Sequence, residues 1–161
     1  MNKCQQRHQF NNVQFEQCAV GASNTDSKIH VVGGLSTLSD NMHAAHKNIF
    51  EAIHFNNETE ITVPITRLDS VLRKHNLPEN FDLLVVDVEG YEQQVFDSFS
   101  LTEYRPKMII VELSDSHPSF NNYPDIQNSH LMIRNFLVSQ DYKEIYVDCI
   151  NTIFYDKNEQ S

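Results

Sequence analysis

Three acidic residues stand where apolar runs stop. Asp87 and Glu89 follow Leu83-Leu84-Val85-Val86, and Glu112 follows Met108-Ile109-Ile110-Val111. A carboxylate at the end of an apolar strand is costly to bury without a partner, so acids at both places suggest a common task. In open α/β sheets the ligand crevice lies outside the carboxyl ends of the strands. If the two runs are parallel neighbours, all three acids reach one rim, where they suit proton transfer to or from a ligand. The plainer alternative is that Glu89 and Glu92 favour the N-terminus of a following helix while Glu112 is solvated at a loop start.

Other chemistry has weaker support. Eight histidines raise a metal as a rival: His43 and His46 are three apart and could share a helix face, with His54, His117 and the acid rim as further ligands suited to zinc or iron. No Glu follows His43 in a His-Glu-x-x-His arrangement, so these read as surface or core histidines and no metal is expected. His117, in the loop leaving the second apolar run, is a candidate acid or base. There is no Gly-x-Ser-x-Gly elbow for a serine nucleophile. Cys4, Cys18 and Cys149 fit no zinc spacing and leave one thiol unpaired whatever bonds form; a reducing cytoplasm is the expected compartment.

The elements that must position these acids follow from length and pattern. A chain of 161 residues suits one domain, here about residues 10–156, and buries about 68–70% of its unfolded surface without help from disulfides or metal. Twelve Lys and Arg against 22 Asp and Glu give a charge of −10, which repels phosphate backbones and anionic lipid. Nucleic acid and membrane are therefore not expected partners. No apolar run approaches a membrane span, and the polar start from Met1 to His8 does not read as a secretory signal.

Alternation over Val13 to Val20 predicts a strand, and Lys28 to Val32 a second, stopped by Gly33-Gly34. Ala44, Ala45, Ile49, Phe50 and Ile53 suggest a helical face. Glu60 to Ile65 reads as an extended segment whose Pro64 suits a sheet edge. Thr66-x-x-Asp69 has the form of a capping box before a helix. Leu83 to Val86 is a continuous apolar run, as expected of a strand covered on both faces. A helix from about Tyr91 buries Tyr91, Val95, Phe96 and Phe99 and leads to the strand at Met108, a unit that predicts parallel strands. Ser129 is placed as the cap of a helix with Met132, Ile133, Phe136 and Leu137 inward. Lys143 to Cys149 and Thr152 to Tyr155 form an antiparallel hairpin, followed by a frayed tail from Lys157.

Asp87-Val88-Glu89-Gly90-Tyr91-Glu92 resembles the Asp-Val-Glu-Gly-x-Glu motif of FkbM-family methyltransferases. Val63 to Leu72, Ile109 to Leu113, Val13 to Gly21 and Gly33 to Leu38 are similar to family stretches in the same order. The resemblance implies an α/β, Rossmann-like methyltransferase sheet, mostly parallel with an antiparallel C-terminal hairpin. It implies S-adenosylmethionine as cofactor and O-methylation of a small hydroxylated or sugar-like acceptor. Asp87 would lie at the centre beside cofactor and nucleophile, Glu112 would contact the acceptor hydroxyl, and Glu89 would support them. Cys18 and Ala19 would pass the adenine, and Ser36, Thr37 and His117 would lie near the substrate. The family's first two strands, glycine-rich loop and ribose-holding acid are not found, since Gly33-Gly34 lacks a Gly-x-Gly-x-x-Gly spacing and reads as a tight turn. The expected fold is thus a partial methyltransferase domain, from a fragment of a longer protein or a truncated gene, and the chain is an enzyme or a non-catalytic fragment or interaction module; if truncated, its uncovered sheet flank favours self-association.

Overall fold

Runs of β-branched and aliphatic residues, broken by Pro, Asn and Ser, fold into two small mixed sheets with helices against them in a computed structural model that describes residues 6–7 and 12–159. In the first sheet β1 (Ala19–Val20) runs parallel to β3 (Thr59–Thr66), and β2 (Asp26–Val31) pairs antiparallel on the other side of β3. In the second, β4 (Leu83–Val86), β5 (Met108–Glu112), β6 (Tyr142–Val147) and β7 (Asn151–Asp156) lie in the order β4-β5-β7-β6. The parallel β4–β5 pair and the antiparallel β6–β7 hairpin are as the sequence predicts. A single mostly parallel sheet is not: β1–β3 and β4–β5 are parallel, and the other three pairings are antiparallel.

Two strands differ from expectation for physical reasons. Only Ala19 and Val20 of the expected Val13–Val20 strand join a ladder. Ile65 N–H donates to the Thr25 carbonyl on the β2 side, so Pro64, one residue earlier, turns its nitrogen toward β1, where it has no hydrogen to give. The β1 ladder stops there. β4 is not covered on both faces either. Leu84 and Val86 turn into the core, but Leu83 and Val85 are 47% and 57% exposed, because β4 is an edge strand among the described residues.

The helices show where local signals yield to packing. Helix α1 (Asp40–Ile49) is capped by Ser39, whose hydroxyl accepts from Met42 N–H, and it buries Met42, Ala45 and His46 while leaving Ala44 and Phe50 exposed. The Thr66–Asp69 capping box does not form, because Thr66 is still in β3; Ser98 instead caps α2 (Leu68–Lys74), accepting from Leu68 N–H at its hydroxyl and from Asp69 N–H at its carbonyl. Helix α3 (Glu92–Phe96) and the residues after it bury Val95, Phe96 and Phe99 as predicted. Helix α4 (Pro124–Ser139) starts five residues before the expected cap at Ser129. Proline costs nothing at a first helical position, where its missing N–H has no partner to lose. Its inner face is Ile126, His130, Ile133 and Leu137, while Met132 and Phe136 are exposed.

The core lies between the second sheet and its helices. Ile109, Val111, Leu113, Leu137, Tyr142 and Phe154 are fully buried, each contributing roughly 1.5–3 kcal/mol. The chain does not fray at Lys157: Asp156 is buried against Arg105 with both contacts at 2.7 Å, and Lys157–Glu159 form a 3-10 turn. Cys18 and Cys149 are free thiols, whereas Cys4, the first residues of the expected structured span and the last two of the chain lie outside the described residues. Among the described residues no helix is long and apolar enough to cross a membrane.

Candidate active site

The register of the parallel pair builds the site. Val86 lies opposite Val111, so Asp87, just past β4, and Glu112, the last residue of β5, come side by side at the carboxyl ends of the parallel pair. Immediately afterwards Glu89 and Gly90 take left-handed backbone conformations, with φ of 53° and 89°. That bend brings Glu89 back to the same place: one oxygen each of Asp87, Glu89 and Glu112 lie within 4.8 Å of one another. Asp87 is exposed and the other two are half-buried.

Crowding three carboxyls makes ionising all of them expensive. Burial first, then the charges of Asp87 and Glu92, pushes Glu89 up to about 7. Burial and the Glu89 charge push Glu112 up to about 8, helped by a hydrogen bond to Asp87 that the protonated form makes. At neutral pH the cluster therefore keeps a proton that can be given up near the working pH, a property suited to general acid–base chemistry.

A left-handed Glu89 costs roughly 1–2 kcal/mol and needs support. Thr37 Oγ1 donates to the Glu89 carbonyl at 2.6 Å. From inside, the Glu92 carboxylate accepts from Gly90 N–H at 3.0 Å and Val88 N–H at 3.4 Å. Glu92 is 1% exposed, and its other oxygen stands 3.4 Å from His130 Nε2. His130 Nδ1 accepts from Ser114 N–H at 2.8 Å, which places the ring proton on Nε2, facing Glu92. The loop after β4 is thus tied through one carboxylate and one imidazole to the loop after β5.

Helix α1 closes over this loop: Met42 packs on Gly90, and His46, one turn later, faces Glu89. A Cβ on Gly90 would meet Met42 Cβ and Cε at 2.8 Å while the backbone stays left-handed. Gly90→Ala is expected to cost about 2–4 kcal/mol, from overpacking and the positive φ together. Urea unfolding of the variant measures this, and a loss below about 1 kcal/mol contradicts the tight α1–loop contact.

Of the remaining sequence candidates, Thr37 and His46 touch Glu89 and the others lie elsewhere. Thr37 is buried and spends its hydroxyl on the Glu89 carbonyl and Ser39 N–H. Ser36 closes the Gly33-Gly34 turn, donating to the Gly33 carbonyl and accepting from Val32 N–H. His117 caps a 3-10 turn by accepting from Ser119 N–H. Cys18 and Ala19 line an open groove of about 710 Å³ with Phe15, Ile29, Ile61 and Pro64, and none of the three acids lines it. Of the paired histidines, His46 faces the acids while His43 stacks on His30 at 4.0 Å. Sequence reasoning missed His130 and gave Glu92 only a helix-end role. The available signal for His130 was its place on the apolar stripe of Ile126, Ile133 and Leu137.

In α/β proteins the carboxyl ends of parallel strands are a usual place for ligands to bind, and this is where the three acids meet. Residues 2–144 match the family model for the methyltransferase FkbM domain. The chain belongs to the FkbM methyltransferase family, and membership implies the Rossmann-like methyltransferase fold and S-adenosylmethionine. No curated protein and no solved structure matches the chain.

Proposed function

We propose that this chain catalyses S-adenosylmethionine-dependent O-methylation of a small hydroxylated or sugar-like acceptor at the rim of Asp87, Glu89 and Glu112. The observation that carries the reading is the convergence of these acids in a chain of this family. The residues present suit the cofactor in two respects. Carboxylates complement the positive charge of a sulfonium, and the groove beside Cys18 and Ala19, with Phe15, Ile29 and Ile61, offers an apolar surface for a purine. When bound, S-adenosylmethionine supplies a methyl group activated by the adjacent sulfonium.

The protein's own task is positioning and proton removal. Holding a hydroxyl in line supplies most of the effect, and the hydroxyl proton passes to a rim carboxylate. Asp87, the exposed member, is the acceptor nearest to solvent and ligand, while Glu112, protonated at neutral pH, can donate to the acceptor oxygen. A polar cavity of about 170 Å³ beside Gly90 supports a hydroxylated acceptor. Ser39, Asn41, Gln94 and Ser129 line it, and among the described residues buried Gln94 Oε1 has no hydrogen-bond partner.

Isothermal titration of S-adenosylmethionine and S-adenosylhomocysteine into the chain is expected to show binding of about micromolar strength, near −8 kcal/mol. Absence of binding by a folded chain would overturn the enzyme reading in favour of a non-catalytic module.

A further inference from the structure

The polar cavity beside Gly90 has an extension. A second cavity of about 230 Å³ adjoins it, and Asn41, Asp125 and Ile126 line both. The two make one cleft between the first turn of α1 and the start of α4. Its inner end reaches Gly90, the chain neighbour of Glu89 at the acid rim, and its outer end is bounded by exposed Asn122, Pro124 and Asp125, which leaves a way in. Neither part alone reaches the roughly 300 Å³ at which ligand pockets begin, whereas the joined cleft does.

The lining has a chemical bias. Buried acceptors are seldom left unpaired, yet among the described residues nothing donates to Gln94 Oε1, so the inner end calls for a donor from a ligand. His130, at the same end, has none to spare: its Nε2 proton faces Glu92 and its Nδ1 accepts from Ser114 N–H. Charge is one-sided as well. Among the described residues that line the two cavities there is no Lys or Arg, while Asp125 brings a carboxylate. A phosphate or carboxylate seated there would stand beside a like charge without a counterion, which is costly. At the outer end Ala44, Tyr123 and Pro124 add apolar surface suited to the C–H face of a sugar ring.

We infer that this cleft binds a sugar ring that is neutral or carries an amino group, with Gln94 Oε1 accepting from a hydroxyl or amine of the ring and Asp125 turning away phosphorylated sugars and uronic acids. The inference rests on the acceptor-methylation reading and narrows its substrate class by charge. Selectivity of this kind is a difference of affinities, and here the repulsive element is as much a part of it as the attractive one. Gln94 and Asp125 set specificity, while the chemistry stays with Asp87, Glu89 and Glu112.

The test is saturation-transfer NMR on the full chain, alone and with S-adenosylhomocysteine, using glucose, galactose and mannose together with their amino-sugar, phosphate and uronic-acid counterparts. At least one neutral or amino sugar is expected to bind with a Kd of about 1 mM or tighter, and its phosphate or uronic-acid counterpart at least about tenfold more weakly. Gln94→Leu, close to Gln in size, is expected to weaken the bound sugar by about 5–150-fold through loss of the acceptor. Asp125→Asn, at an exposed position where the fold has little to lose, is expected to reduce the discrimination against phosphate by about threefold or more. The proposal is overturned by a folded chain that binds none of these sugars under either condition, by anionic forms that bind as well as the neutral ones, or by either folded variant behaving like the native chain. Titration of S-adenosylhomocysteine alone into the same preparation keeps the two readings apart. Cofactor binding without sugar binding strikes only the cleft, and sugar binding without cofactor binding strikes only methyl transfer.

Discussion

Asp87→Asn is expected to lower methyl transfer by about 10²–10⁴-fold, the usual size of a general-base contribution, while leaving the fold intact. The two side chains have the same shape, and Asp87 is exposed, so little packing is lost. The charge, however, is removed from beside Glu89 and Glu112, and that gives the variant a second signature. Both glutamates hold protons more tightly in the folded chain than in the unfolded one. Their raised values therefore favour the fold fully below about pH 4.5, and the benefit is lost as pH rises through about 7 to 8. With the Asp87 charge gone, less is lost. The variant should match the native chain near pH 5 and be equally stable or more stable near pH 8, by on the order of 1 kcal/mol after solvent screening. Formation of S-adenosylhomocysteine across a panel of hydroxylated acceptors, with thermal unfolding at both pH values, measures the two effects. Undiminished transfer would remove Asp87 from the chemistry; lost transfer with a large fall in Tm would assign it to structure instead.

The sequence carried the site further than it carried the fold. Asp87 and Glu112 could be paired from the chain alone because each follows an apolar run, and a strand-helix-strand unit makes such runs parallel neighbours; the Val86–Val111 register then fixes their meeting. Glu89 needed more. Two residues beyond the strand, it returns to the rim only through consecutive left-handed residues, and only the glycine at position 90 hinted at that bend. The errors in the fold arose where a partner far along the chain decided a local matter. Ser98, not Thr66, caps α2. Pro64, by lacking a hydrogen on the β1 side, shortens a strand whose own alternation looked sufficient. The apolar run of β4 reads as doubly covered because residue type records hydrophobicity, not whether a neighbouring strand is present. Met132 and Phe136 were set inward by a helix start placed at Ser129; moving the start to Pro124 admits His130, a polar residue, to the buried face.

That buried polar pair yields the second large effect. Glu92→Ala is expected to cost about 3–5 kcal/mol, because buried donors that share its carboxylate are left without an acceptor, at about 1–3 kcal/mol each. Val88 and Gly90 N–H lose their acceptor and His130 Nε2–H loses its carboxylate. For a chain of this size the loss corresponds to a Tm lower by roughly 6–20 °C, against a total stability of about 5–15 kcal/mol. Glu92→Gln separates the pair from the acceptor role. Its amide oxygen can still accept from Gly90, but its NH₂ then faces the proton on His130 Nε2, and His130 cannot change tautomer to relieve this because Ser114 N–H occupies Nδ1. Two donors face each other inside the protein, so the isosteric change should still cost about 1–3 kcal/mol. Substituting His130 by Ala in the Glu92→Gln background should then cost less than in the native background, since the opposed donor is removed with the ring. Urea unfolding of the four proteins gives the coupling directly. A Glu92→Gln variant as stable as the native chain would mean that Glu92 serves only as a cap for the loop after β4, and that the tie between the ends of β4 and β5 runs through some other contact.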